Sequence, residues 1–208
     1  MRDLEKKRQI ILYVLLSIVL MILFFLEKLN FFSPINLYIY KHFSQKFYFF
    51  WSLISFSFNL IMANIYIILL ILFDLYTIKK LSLSSLKLIL SFIFGITLTY
   101  ILKNIFQVPR PVSVYKNISD YSFPSGHSVR ATLFAYFLSQ KANKIKIIFW
   151  LYAILVGISR IVLSAHWFSD IIVGLSLGIW ISLSIDLIEK ILIKIIHLLS
   201  LDKIICAK

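Results

Sequence analysis

The chain contains one cysteine, Cys206, among 208 residues. That excludes an internal disulfide and any metal cluster built on cysteine. Acidic residues are scarce, nine against 22 lysines and arginines, and no carboxylate cluster of the kind that holds magnesium is present. Only four prolines occur, Pro34, Pro109, Pro111 and Pro124, all outside or at the edges of the apolar runs. There the missing backbone donor costs least. What abounds is apolar: 61% of residues are hydrophobic and the mean hydropathy is +0.92, beyond the range of soluble domains. An integral membrane protein follows. The formal charge of +13 does not point to nucleic acid, because the basic residues are dispersed over several loops rather than gathered into a stripe. It fits cations that flank spans and meet anionic headgroups.

A spanning helix needs about 20 mostly apolar residues. Six segments qualify: 10–26, 49–73, 85–102, 125–139, 145–163 and 167–188. The expected fold is therefore all-α, a polytopic bundle of six transmembrane helices. The basic N-terminus followed by an apolar run has the outline of a signal peptide, but no small-residue cleavage site follows, so it reads as a retained first span. Residues 30–48, rich in aromatics with Lys41, His42 and Lys46, read as an interfacial segment. After the sixth span, Glu189, Lys190, Lys194 and His197 recur at near-helical spacing, as in a helix on the membrane surface. His42 and His197 stand in no motif and read as structural. Gly174 and Gly178 form a small-xxx-small pair suited to close helix packing. With no repeat and no linker, one domain covering 1–208 is expected.

With the N-terminus in the cytoplasm, the inner segments carry about twice as many lysines and arginines as the outer ones, which favours both termini inside. The first polar stretch runs from Lys103 to Arg110-Pro111. The second is Pro124-Ser125-Gly126-His127. The third is Ser159-Arg160, five residues, His166, three residues, Asp170. Six spans bring all three to the outer face.

Each stretch has its own chemistry. Arginine's planar fork matches two phosphate oxygens, and lysine acts as a point charge. Either cation alone also fits a snorkelling residue, and Lys28 and Lys116 are read that way. Ser125-Gly126-His127 opens a helix, whose unpaired N–H groups bind anions while glycine lets phosphate approach. His166 and Asp170, four apart, share a helix face. A carboxylate on one ring nitrogen leaves the other with a lone pair, the arrangement of an activated nucleophile. An Arg160–Asp170 salt bridge beside a satisfied histidine is the alternative from that stretch alone.

The three stretches together resemble, nearly letter for letter, the signatures of the phosphatidic acid phosphatase type 2 superfamily, covering about 70 residues (103–170). The resemblance implies a metal-independent enzyme without cofactor. In it His166 attacks phosphorus, Asp170 orients His166, and His127 protonates the leaving oxygen and then activates water. Lys103, Arg110, Ser125, Gly126 and Arg160 bind the phosphate. The soluble vanadium haloperoxidases of the superfamily are excluded by composition. The expected function is hydrolysis of phosphate or diphosphate groups on membrane lipids, at the extracytoplasmic side of the inner membrane. Candidate substrates are phosphatidic acid, phosphatidylglycerophosphate, a polyprenyl diphosphate and lipid A. The rivals are a lipid phosphotransferase using the same phosphohistidine and a non-catalytic lipid-binding or transport protein. The oligomeric state is left open. Arg130, three residues beyond His127, is a cation inside a span. It either contacts a second phosphate or polar headgroup, or pairs with Asp120 or caps neighbouring carbonyls.

Overall fold

The computed structural model describes residues 2–43, 47–111 and 121–206, apart from the side chains of Arg2, Asp3, Glu5 and Asn143. Lys46, Lys116 and Asp120 lie outside the described residues. Among the described residues nine α-helices follow one another: α1 (Arg2–Lys28), α2 (Ser33–His42), α3 (Tyr48–Phe56), α4 (Leu60–Thr77), α5 (Leu83–Phe106), α6 (Gly126–Lys141), α7 (Lys146–Val162), α8 (Phe168–Leu187) and α9 (Glu189–Leu198). Two two-residue strands add a departure from a purely helical fold. Leu81–Ser82 pairs in parallel with Ile205–Cys206.

The bundle is apolar in its core and on much of its exterior. Helix α8 is central and packs against α1, α5, α6 and α7. Its glycines, serines and aliphatic residues are buried along most of their length. Leucines, isoleucines and phenylalanines of α1 and α4 instead face outward, among them Leu15, Phe25, Ile61, Leu69 and Phe73. An apolar exterior is stable in lipid. The protein is a membrane protein in these terms: α1 from Lys6, α4, α5 and α8 are each long and apolar enough to cross a bilayer. Helices α6 and α7, with 16 and 17 residues, fall short of that length. Both pack against α8, α6 with half of its residues buried and α7 through one face only.

The second expected span, 49–73, is broken. Helix α3 stops at Phe56 and α4 starts at Leu60. Asn59 is extended and its side chain accepts from the Met62 N–H at 2.8 Å, which caps α4. The broken turn exposes backbone that a continuous helix would have paired. The Phe58 carbonyl accepts instead from Arg130 Nε at 2.9 Å. Irregular backbone is tolerated at membrane depth when it is buried in protein or lines a polar cavity.

Helices α6 and α8 approach at the glycines. A Cβ on Gly174 would stand 2.8 Å from the Ser125 carbonyl oxygen, and one on Gly178 would stand 2.6 Å from Thr132 Cβ. The small-xxx-small pair therefore packs within the bundle. Gly174→Ala is expected to destabilise the protein by about 1–3 kcal/mol, the usual cost of overpacking against backbone. Because the displaced atom belongs to Ser125, activity should fall with stability. A thermal melt in detergent beside an activity assay checks both, and an unshifted melt would show that the helices separate freely.

Helix α5 fixes the two poles. Lys87 in its first turns and Lys103 in its last are 16 residues apart, about 24 Å along the axis. At the Lys87 end, its ammonium lies 2.7 Å from Asp186 Oδ1 and 2.7 Å from Glu189 Oε2. Tyr136 Oη donates to Asp186 at 2.6 Å, and Lys141 meets Asp74 at 3.2 Å. This network ties α4, α5, α6, α8 and α9 together, with two lysines set against three carboxylates. The motif residues gather at the opposite pole.

Candidate active site

Connections between helices assemble the site. The Ser125 N–H donates to the Asp170 carbonyl at 3.0 Å, which joins the second stretch to the third. Trp167 Nε1 donates to the Pro109 carbonyl at 2.7 Å, which joins the third to the first. In the α7–α8 turn, the Arg160 carbonyl accepts from the Ala165 N–H at 3.0 Å and the His166 N–H at 3.2 Å. These bonds stiffen the turn that carries His166.

His166 is buried and held from both sides. Its Nδ1 lies 3.1 Å from Asp170 Oδ2, and its Nε2 lies 3.2 Å from Arg110 Nη1. Arginine can only donate, so Nε2 must carry the lone pair and Nδ1 the hydrogen that Asp170 accepts. Asp170 Oδ2 also takes the Trp167 N–H at 2.9 Å. Asp170 thus holds the ring and the helix start together, and the histidine pairing occurs in place of an Arg160–Asp170 bridge. Burial, followed by the charges of Arg160, Arg110 and Lys103, keeps the His166 pKa well below the ordinary imidazole value. The ring is neutral at neutral pH, as a nitrogen nucleophile requires.

The cations converge on one space. Arg110 Nη1 donates to the Ala165 carbonyl at 2.7 Å and its Nη2 to the Tyr121 carbonyl at 3.5 Å. Lys103 Nζ donates to the same Tyr121 carbonyl. Arg160 Nη1 donates to Ser55 Oγ at the end of α3. A cavity of about 560 Å³ is lined by Lys103, Arg110, Gly126, His127, Arg130, Arg160 and His166, together with Leu60, Ile96, Thr99 and Tyr100. A second cavity of about 340 Å³ between α3 and α7 is also lined by His127 and Arg160, with Ser52, Ser55 and Asn59. His127 and Arg160 therefore border both cavities.

Two motif residues stand behind this wall rather than in it. Asp170 is completely buried behind His166. Ser125, also completely buried, places its hydroxyl on the α6 terminus. It accepts from the Ser128 N–H at 3.4 Å and from Ser128 Oγ at 3.1 Å. Its side chain caps the helix whose first N–H groups face the cavity. Arg130 realises the carbonyl-capping reading through Phe58, while its guanidinium also reaches the cavity wall.

Ser55, Phe58, Thr99 and Tyr121 are neighbours that the motifs do not contain. Thr99 was accessible from spacing, since it lies one turn before Lys103 on the same face of α5. Ser55 and Phe58 carry a weaker signal, the run Ser55-Phe56-Ser57-Phe58-Asn59 interrupting an apolar segment. Among the described residues, no three His, Cys, Asp or Glu side chains come together as a metal ligand set. The outlying histidines are accounted for locally. His42 Nδ1 lies 2.7 Å from the Tyr38 carbonyl, and His197 Nδ1 lies 2.7 Å from Asp202.

The arrangement has counterparts among known proteins. Phosphatidylglycerophosphatase B of Bacillus subtilis is 42% identical over 72 residues, 29% of this chain and 36% of that protein. An undecaprenyl-diphosphatase of Sulfolobus acidocaldarius is 31% identical over 111 residues, 47% of this chain and 52% of that protein. A lipid A 1-phosphatase of Rhizobium johnstonii is 39% identical over 62 residues, 30% of this chain and 25% of that protein. The chain thus spans between a quarter and about half the length of these curated relatives. Solved structures match more widely. The transmembrane PAP2-type phosphatidylglycerolphosphate phosphatase from Bacillus subtilis superposes with a TM-score of 0.75 at 25% identity, over 86% of this chain and 96% of that one. LpxE from Aquifex aeolicus gives 0.60 at 25% identity, over 73% and 94%. The family model for the PAP2 superfamily matches residues 84–190, just over half the chain and all of the cavity-lining motif residues. The chain belongs to the PAP2 superfamily.

Proposed function

We propose that the protein is a membrane lipid phosphatase that hydrolyses phosphate or diphosphate groups on lipids through a phosphohistidine. The observation that carries this reading is His166 between Asp170 and Arg110, at the wall of a cavity that Lys103 and Arg160 also line. His166 Nε2 forms a bond to phosphorus as the phosphorus–oxygen bond to the leaving group breaks. His127 supplies the proton to that oxygen. Water then attacks phosphorus, His127 takes its proton, and the phosphorus–nitrogen bond breaks. Lys103, Arg110, Arg160 and the α6 N–H groups stabilise charge on the phosphoryl oxygens in both steps. These three cations and the helix terminus supply what a metal supplies in many phosphoryl-transfer enzymes, so no cofactor is needed.

The chain forms one domain of six spans, with α6 and α7 as short spans and α3–α4 as a broken one. Both termini lie in the cytoplasm and the site opens at the extracytoplasmic side of the inner membrane. The lysine and arginine bias supports this orientation. The substrate reaches the site sideways from the bilayer along the wall of Leu60, Ile96 and Tyr100. The matched relatives bear the names of three different lipid substrates, so the lipid is best identified directly.

A panel of phosphatidic acid, phosphatidylglycerophosphate, undecaprenyl diphosphate and lipid A tests the function. At least one should release inorganic phosphate, equally with and without EDTA, and vanadate should inhibit. A soluble short-chain substrate should turn over in sealed right-side-out vesicles but not in sealed inverted ones. No release from any lipid overturns the function, and label moving to a second lipid identifies a phosphotransferase. Loss with EDTA contradicts the metal-free scheme, and the opposite sidedness reverses the orientation.

A further inference from the structure

Arg130 is a cation in the interior of a membrane bundle, and no carboxylate among the described residues pairs with it. One edge of its guanidinium is engaged, Nε on the Phe58 carbonyl at 2.9 Å. The other edge turns back up the helix. Its Nη1 is 3.2 Å from where a Cβ on Gly126 would stand, and the residue lines the main cavity. Thr99 approaches the same point from α5, with its Cγ2 at 3.6 Å from that position. Thr99 is 6% exposed and lines the same cavity, yet its Oγ1 is buried with no hydrogen-bond partner. Nearby Thr97 satisfies its hydroxyl on the Ile93 carbonyl at 3.0 Å. Among the described residues, a cation without a carboxylate and a hydroxyl without a partner, on two residues that line one cavity, call for an anionic ligand that bonds to both.

We infer that Arg130 and Thr99 form a second phosphate subsite, one helical turn deeper than the phosphate site at His166, and that the preferred substrates are lipid diphosphates. The inference rests on the phosphatase reading above. The terminal phosphoryl group sits among Lys103, Arg110, Arg160 and His166. The phosphate joined to the lipid sits against Arg130 and Thr99, with the chain leaving past Leu60 and Ile96. His166 Nε2 bonds to the terminal phosphorus, the bridging oxygen departs with the lipid monophosphate, and His127 provides its proton. Arg130 then stabilises the leaving group as well as the bound substrate.

The test uses the purified full-length protein with farnesyl diphosphate and farnesyl monophosphate, which share one chain. Arg130→Gln should lower the diphosphate-to-monophosphate ratio of kcat/KM roughly 30-fold, and Thr99→Val roughly fivefold, as expected for lost bonds to a charged group. Thr99→Val keeps the side-chain shape and so separates recognition from folding. Isothermal titration gives a readout without turnover. The native protein should bind inorganic pyrophosphate more tightly than orthophosphate, and Arg130→Gln should erase that preference. Equal loss on both substrates would reduce Arg130 to a pin for Phe58 and overturn the subsite, as would unchanged ratios in both variants. If no lipid is hydrolysed while the pyrophosphate preference persists and vanishes in Arg130→Gln, the phosphatase reading fails and the anion subsite stands.

Discussion

Replacing His166 with alanine should lower turnover by on the order of 10⁴-fold or more, the scale seen when an enzyme loses its nucleophile. The reason is local. Nε2 faces Arg110 with its lone pair while Asp170 holds the opposite ring nitrogen. No other cavity residue offers an equivalent lone pair in that position. The variant should remain folded at a cost of about 1–3 kcal/mol, because Asp170 loses one hydrogen bond and retains the Trp167 N–H. Rapid quenching with labelled substrate should trap protein-bound phosphate in the native protein and none in the variant. Turnover that survives the change would remove His166 as the nucleophile. His127 sits in the same cavity, so its replacement provides the comparison. The bound phosphate should then form slowly and decay slowly, rather than fail to form.

Arg160→Lys conserves charge and should still cost about 2–4 kcal/mol in the barrier, roughly 30- to 1000-fold in kcat. The guanidinium bridges α7 to Ser55 at the end of α3 while lining both cavities. A lysine ammonium is a single point with no second arm. It can hold Ser55 or reach a phosphoryl oxygen, but not span the two. The backbone role of residue 160, accepting from Ala165 and His166, survives the substitution. The loss should therefore appear in kcat with an unchanged melting temperature. Near-native kcat would show that the planar fork is dispensable, and a collapsed melt would show that the Ser55 contact is structural.

Much of the site was readable because three short motifs, taken together, match the signatures of one family. His166 and Asp170 lie one helical turn apart, and Arg110, Gly126, His127 and Arg160 come from segments whose ends an alternating helical bundle brings together. Lys103 and Lys87 mark opposite ends of α5 for the same reason. Other features depend on contacts between distant residues. The break at 57–59 is hidden in an apolar window, because hydropathy averages over Ser57 and Asn59. The Phe58 carbonyl that it frees is taken by Arg130, 72 residues away. Ser125 reads as a phosphate donor from its motif, and the capping bonds that its hydroxyl oxygen accepts from Ser128 are not visible there. The parallel pairing of Leu81–Ser82 with Ile205–Cys206 is too short to leave a pattern. Helices α6 and α7 stand out by polarity and motif, but their lengths match the bilayer less well than those of α1 or α5.

The contact of Gly174 and Gly178 with α6 bears on how such an enzyme could change its diet. Any larger side chain at 174 strikes the backbone that presents His127, so the wall shared by α6 and α8 has no freedom to be re-cut. The opposite wall does. Leu60, Ile96 and Tyr100 border the same chamber from helices that touch α6 and α8 less intimately. Adaptation to a bulkier or a slimmer hydrocarbon should therefore be sought at Leu60, Ile96 and Tyr100, side chains that hold no phosphate and take no part in the reaction.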